Sequence, residues 1–343
     1  MVRIDQGEIY DSIKLDIKDK KILDILSEDS RTPISQIAKK VMVSRDIVSY
    51  KIKRFQNQGL ITKFYTRIDY KKLNYEVYHV FFMVDNSKGV KDLVDTLKMD
   101  SRTYSVFEYS DHWDLEWIIL VKNVQELDEI VTDIQAKFSK TILERSTMLE
   151  INVYRSIIFS YHFNKNITNL RKFEELNFKP DLKDLKIISE LSKDSKKSTY
   201  EIAPQIGLSA DAVGIRLKKL YKTGIIRKYT IEPNFSKLNY TWHTVCISMK
   251  HFDRREENKF KNFIENQPGV IRAAKTFGEW DVLLYITTQT PKEFHNIIKA
   301  IKLEFSHILK SYNSFVAYKE HVFNPFPKII IEDFEKEQNL LKK

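Results

Sequence analysis

The chain has 343 residues, 42% of them hydrophobic and 12% aromatic, a length and apolar content that allow roughly two to four compact cores. Its single cysteine, Cys246, excludes a disulfide framework and an all-cysteine zinc site within one chain, and reads as a small core residue of a strand. No apolar run approaches the roughly 18 residues a membrane helix needs. The opening Met1-Val2-Arg3-Ile4-Asp5-Gln6 has no signal-peptide core, so a soluble, cytoplasmic protein with no membrane partner is expected.

Taken in order, Ile17, Ile22, Leu23, Ile25 and Leu26 recur at helical spacing through a charged background. Thr32-Pro33 offers an N-cap and a first-turn proline for a helix over 34–40. Ser44 caps a third helix reaching about residue 58, and Gly59 ends it where a positive φ costs least. Residues 60–68 read as a short strand pair, a wing. Strands over 77–84, 104–109, 115–121 and 148–154 and helices over 90–97 and 126–138 then give the order βαββαβ, an antiparallel sheet with both helices on one face. Its other face needs cover, and Phe82, Trp117, Trp242 and Tyr285 could populate either side.

After a short amphipathic helix over 167–176, the punctuation returns: Asp181, Thr199 before a helix over 200–206, Gly207 in the turn, Ser209 as N-cap and Gly224 as stop. Strands over 241–249, 270–277, 281–287 and 314–322 and helices over 256–266 and 292–309 complete a second βαββαβ. The tail, 329–343, reads as a docking helix or a frayed end.

The chain therefore contains itself twice. Residues 15–75 align without a gap onto 180–240, about 22 of the 61 pairs are identical, and both copies end in Leu-Asn-Tyr. The expected α+β organisation is a winged helix-turn-helix (1–75), a sheet domain (76–165), a linker (166–179), a second winged unit (180–240), a second sheet domain (241–328) and the tail. The net charge of +10 concentrates in the repeat, about +7 over 15–75 and +5 over 180–240, against −5 over 76–165. That is the footprint of a polyanion binder.

The third helix of each winged unit divides by periodicity. Val48, Ile52 and Phe55, with Val213, Leu217 and Leu220 in copy two, form the core face. Ser44, Arg45, Asp46, Ser49, Tyr50, Lys53 and Arg54 are the candidate contacts to double-stranded DNA; Ser209, Ala210, Asp211, Gly214, Ile215, Lys218 and Lys219 are their equivalents. Such a helix fits a major groove about 12 Å wide, and arginine there can take guanine bidentately. Ser49 and Tyr50 against Gly214 and Ile215 predict unlike half-sites. Glycine-rich phosphate loops, His-Glu-x-x-His, Cys-x-x-Cys and Gly-x-Ser-x-Gly motifs do not occur. No catalytic residue, cofactor or metal site is expected.

These features together resemble the leucine-responsive/asparagine-operon regulator family (Lrp/AsnC). The motif Ser-x-x-x-Val-x-x-(Arg/Lys)-(Ile/Leu)-x-x-(Phe/Leu)-x-x-x-Gly-(Leu/Ile)-Ile stands as Ser44, Val48, Lys51, Ile52, Phe55, Gly59, Leu60, Ile61 and again as Ser209, Val213, Arg216, Leu217, Leu220, Gly224, Ile225, Ile226. The family's Gly-Asp-(Tyr/Phe)-Asp signature appears as Gly278-Glu279-Trp280-Asp281, and has drifted to Asp111-His112-Trp113-Asp114 in copy one. The resemblance implies winged-helix DNA binding, ferredoxin-like (RAM-type) domains paired sheet to sheet, and an amino-acid effector at their interface, here with Gly278, Glu279, Trp280 and Asp281 as candidates. The two fused copies imply an intramolecular pseudo-dimer, and a homodimer of such chains stays open. Siroheme decarboxylases are similar to the same family and use His and Arg around a tetrapyrrole; that alternative points to His79 and His243, aligned in the first sheet strand of each copy, and to His112. An adaptor recruiting transcription machinery is the third reading.

Overall fold

The computed structural model describes residues 2–8, 10–85, 89–159 and 178–340. Copy one comprises α1 (Ile17–Glu28), α2 (Ile34–Val41), α3 (Arg45–Asn57), β1 (Ile61–Ile68), β2 (Glu76–Val84), α4 (Val90–Met99), β3 (Thr103–Tyr109), β4 (Leu115–Val121), α5 (Val124–Lys137) and β5 (Ile142–Ser156). Copy two repeats the order as α6 (Leu182–Lys193), α7 (Thr199–Ile206), α8 (Ala210–Lys222), β6 (Ile226–Pro233), β7 (Thr241–Met249), α9 (Arg254–Glu265), β8 (Val270–Gly278), β9 (Val282–Thr288), α10 (Pro291–Glu304) and β10 (Leu309–Phe323). A last helix, α11 (Ile329–Leu340), follows. The linker helix expected over 167–176 lies outside the described residues. The described residues form two compact units, one drawn from those within 15–75, 178–233 and 324–340, the other from those within 2–14, 76–159 and 234–323.

In the first unit both three-helix bundles start with the same device. Asp16 and Asp19 form a reciprocal capping box on α1, as Asp181 and Asp184 do on α6, satisfying amides that the first turn leaves open. Two predicted caps sit one residue from their expected places. Thr32 is no cap: its Oγ1 donates to the Asp29 carbonyl at 2.8 Å, and Pro33 itself occupies the cap position without a side-chain bond. Ser198, not Thr199, caps α7, with Glu201 closing the box.

The expected wing is also built differently. Each copy contributes one strand, and β1 pairs antiparallel with β6 of the other copy. The exchange is reciprocal: the Ser30 amide donates to the Tyr229 carbonyl (3.1 Å) and the Ser195 amide to the Phe64 carbonyl (3.0 Å), while the hydroxyls of Ser30 and Ser195 meet at 2.8 Å. Thr66 Oγ1 donates to the Leu191 carbonyl (2.9 Å) and Thr230 Oγ1 to that of Ser27 (2.7 Å). Helix α6 therefore lies on β1, and α1 on β6. A two-stranded ribbon is marginal alone; here the helices cover it. The tail docks on α6 through its first turn, where Ile329 and Ile330 are buried and Asp333 accepts from Tyr75 Oη at 2.9 Å.

The second unit is a closed eight-stranded barrel in the order β10-β3-β4-β2-β5-β8-β9-β7. Both sheet domains have the predicted βαββαβ order, and they join through two seams, β5–β8 and β3–β10. This explains why β5 and β10 run longer than the expected 148–154 and 314–322. The first half of β5 pairs with β2 and its second half with β8; β10 changes from β7 to β3 in the same way. Strand alternation then sorts the side chains. Phe82 and Trp117 lie in the core beneath α4 and α5 with Leu93, Leu97, Leu127 and Val131. The matching core beneath α9 and α10 gathers Val245, Leu284, Phe260, Ile301 and Phe305. Trp242 and Tyr285 belong to the opposite faces, which meet each other inside the barrel: Trp242 packs on Tyr285 at 5.3 Å and on Phe107 of copy one at 5.4 Å.

Candidate nucleic-acid interface

Helices α3 and α8 begin alike. Ser44 Oγ accepts from the Ile47 amide and Ser209 Oγ from the Ala212 amide, both at 3.2 Å. These two serines cap the helices, as N-cap preferences predict. Val48, Ile52 and Phe55 are buried, as are Val213, Leu217 and Leu220. Arg45, Asp46, Tyr50 and Lys53 are exposed on α3, with Ser49 half-buried. On α8, Asp211, Ile215, Lys218 and Lys219 are exposed, with Ala210 and Gly214 half-buried. Exposed large hydrophobics, Tyr50 at 66% and Ile215 at 69%, occupy equivalent places, where a solvated surface gains nothing from them.

Not every basic residue of these helices is available. Lys51 is buried and donates to Asp16 (2.8 Å) and Asp19 (2.7 Å). Burial would depress its ammonium, but the two carboxylates outweigh that and hold its pKa raised. Arg216, at the same place in α8, donates to Asp184 (2.7 Å) and Asp181 (2.8 Å). The Asp184 hydrogen bond leads in holding its pKa raised. Arg54 also donates to Asp19 at 2.8 Å, so this guanidinium is turned toward the bundle. Lys219, its counterpart, lies 3.9 Å above the Phe178 ring. The capping-box acids thus serve twice, starting the first helix and anchoring the third.

The candidate effector segment has mainly structural duties. Gly278 has φ of 146°, and a Cβ there would come within 2.4 Å of the Thr147 carbonyl oxygen, so the β5–β8 seam needs a glycine. Trp280 is buried against Phe81 and Trp113. Asp281 accepts from the Met249 amide (2.7 Å), as Asp114 does from that of Val84 (2.8 Å). Glu279 is the exposed side chain with charge in this segment, accepting from Ser146 Oγ. In copy one Asp111 accepts from the Val316 amide at 2.8 Å.

The expected alignment of His79 with His243 does not hold. The matching Asp114 and Asp281 bonds align His79 with Thr244, so His243 falls on the opposite face of its strand. It stacks on Phe294 of α10 at 3.9 Å, where burial lowers its pKa to about 4. His112 is exposed and sits edge-on to Trp113. His79 points into the barrel, and its Nδ1 lies 2.6 Å from Glu116. Tyr285 donates to the same carboxylate at 2.8 Å, and Tyr109 hydrogen-bonds to it and to Thr244 (2.8 Å). Glu150 accepts from Arg272 at 2.5 Å. Burial would raise the Glu150 carboxyl, but Arg272, then His79, lower its pKa to about 2. Sequence reasoning gives no role to Glu116, Glu150 or Arg272; Glu116 enters it only with His112, four residues before it, and is set aside because a strand does not align that spacing. The signal was present: each is a charge set among apolar strand residues.

The winged helix-turn-helix DNA-binding model matches residues 15–62, and the AsnC-type helix-turn-helix domain matches 181–221. An HTH-type transcriptional regulator of Pyrococcus furiosus is 29% identical over 145 residues, covering 41% of this chain and 97% of the relative. The HTH-type transcriptional regulator LrpA of Pyrococcus horikoshii is 28% identical over 119 residues, 35% of this chain and 84% of the relative. The chain is thus similar to Lrp/AsnC-type regulators in each of its two halves. Each of these matches covers less than half of the chain, a length comparable to one copy of the internal repeat with its sheet domain. The whole paired fold has a solved counterpart: a siroheme decarboxylase, NirDL, covers 95% of this chain and 100% of its own at a TM-score of 0.62 and 13% identity. That likeness concerns the fold alone. Among the described residues no helix is long and apolar enough to cross a membrane.

Proposed function

We propose that this Lrp/AsnC-type chain is a sequence-specific DNA-binding transcription regulator that presents two unlike recognition helices from one polypeptide. The observation that carries this reading is the pair of serine-capped helices whose faces opposite the core remain exposed and carry basic residues, while the capping-box acids Asp19 and Asp184 are tied to Lys51 and Arg216. Arg45 and Lys53 supply base or phosphate contacts on α3, with Ser44, Ser49 and Tyr50 beside them. Lys218 and Lys219 supply phosphate contacts on α8, where Ile215 offers an apolar surface to a thymine methyl. Arg54 acts near its Asp19 anchor, as a positioning contact. An amino-acid effector at 278–281 belongs to the proposal, with Glu279 as the accessible carboxylate for an ammonium group. We read the chain as a regulator without enzymatic activity.

The test is a salt titration of binding to the duplex upstream of its own gene and to a scrambled duplex, preceded by a visible absorption spectrum. Tighter binding to the upstream duplex, with a steep salt dependence on both, is expected. Equal, weak binding together with a tetrapyrrole band would move the reading to a decarboxylase-type enzyme.

A further inference from the structure

The two barrel seams are charged in different ways. At β5–β8 the cation comes from the sheet itself: Arg272 of β8 pairs with Glu150 of β5. The backbone bonds that match Tyr109 with Thr276 and Asp114 with Asp281 place Ser105 of β3 where β8 has Arg272, so β3–β10 lacks that cation. Its carboxylate, Glu320 of β10, faces Phe107 across the seam and has no exposure. It is served by a residue from outside the barrel wall. Arg3 donates to Glu320 through its backbone amide (2.9 Å), Nε (3.0 Å) and Nη2 (2.5 Å), and Ser105 Oγ adds a bond of 2.6 Å. The guanidinium lies 4.0 Å from the ring centre of Phe323, 5.2 Å from Trp242 and 5.5 Å from Phe107. The strand-like approach of residues 3–6 is pinned by main-chain bonds from Phe235 to Arg3, Glu320 to Ile4 and Gln6 to Tyr318.

We propose that the Glu320 end of the barrel is a binding site for a planar guanidinium, occupied here by Arg3 as a tethered ligand and open to a free alkylguanidinium when that side chain is absent. A buried carboxylate offering both oxygens in one plane selects a forked donor over a point-charge ammonium. Aromatic walls favour a flat, weakly hydrated cation. The site does not depend on the DNA-binding reading.

The experiment is thermal unfolding of the full-length Arg3→Ala protein titrated with ethylguanidinium in the low-millimolar range, with ethylurea as the neutral isostere and ethylammonium as the unforked cation. Arg3→Ala is expected to lose several degrees of Tm. Ethylguanidinium should restore at least half of that loss with a saturating dependence, ethylammonium less and ethylurea none, while the wild-type protein, already filled, should not respond. Adding Glu320→Gln should abolish the recovery. If Arg3→Ala does not accumulate folded, Arg3→Lys, which keeps the charge and loses the fork, takes its place in the same titration. An unchanged Tm in Arg3→Ala, or recovery no greater with ethylguanidinium than with ethylurea, would overturn the proposal and leave Arg3 a plain structural plug.

Discussion

The β5–β8 and β3–β10 seams join the same two copies by the same antiparallel pairing, yet one carries its ion pair within the strands and the other takes its cation from residues ahead of the first repeat. The winged halves differ far less. Each keeps the capping box, the serine cap and the basic residue held by two aspartates. The contrast separates two kinds of constraint. A three-helix bundle must solve the same local problems in each copy, so its punctuation repeats. The barrel interior is shared, so one copy can carry a charge that only the other needs to answer, and the pairs Glu116/Leu283 and His79/Thr244 have diverged accordingly.

The largest effect should come from breaking the self-contained seam. Arg272→Met leaves Glu150 buried with only His79, 3.7 Å away, to answer it, which costs on the order of 3–5 kcal/mol. The double change Arg272→Met/Glu150→Met should recover most of it, as read from urea midpoints. Failure of the double to recover would mean that packing, not charge, holds this seam. Next comes a comparison of the winged units. Asp19→Asn loosens Lys51 and Arg54 together, whereas Asp184→Asn loosens Arg216 alone, so the first should lose about 2–3 kcal/mol and the second about half of that. Equal losses would show that Arg54 gains nothing from Asp19.

The pH dependence follows from the same interior. Burial opposes charging of His79, but Glu116 and Glu150 prevail and raise its pKa above the ordinary 6.5. Its contribution is therefore complete below that value and is lost as pH rises through the raised one. Glu150, lowered to about 2, contributes fully above its ordinary 4.5 and loses that contribution as pH falls from there. Stability should peak between these ordinary values, and His79→Gln should remove the alkaline decline while leaving the acid one. The smallest effect concerns the turn of the helix-turn-helix. Met42 adopts φ of 58° where copy two has Gly207 at 68°, a conformation that costs a side chain roughly 1 kcal/mol. Met42→Gly should raise Tm by up to about 2–4 °C, while Gly207→Met should lower it by a similar amount.

Much of this organisation was legible in the sequence. The gapless repeat gave the duplication, and Ser44, Gly59, Ser209 and Gly224 marked the third helices. The sheet order was readable because each strand alternates or runs apolar between turn residues. Strand partners were not readable in the same way. The β1–β6 ribbon and both seams pair segments far apart in the chain, and local pattern carries no register between remote strands. The first half of β5, Ile142 to Thr147, is largely polar, with Leu143, Glu144 and Arg145 exposed, which hid it from an apolar-run reading. Period-two alternation would have separated His79 from His243 had the two strands been aligned through Asp114 and Asp281 rather than by their histidines.

The most direct measurement of the central claim compares Lys53→Glu and Lys218→Glu on three duplexes: the intact upstream site and versions with one or the other half scrambled. If the helices read unlike half-sites, Lys53→Glu should abolish the preference for one half and Lys218→Glu should weaken binding more uniformly. Equal losses from both substitutions on all three duplexes would contradict it.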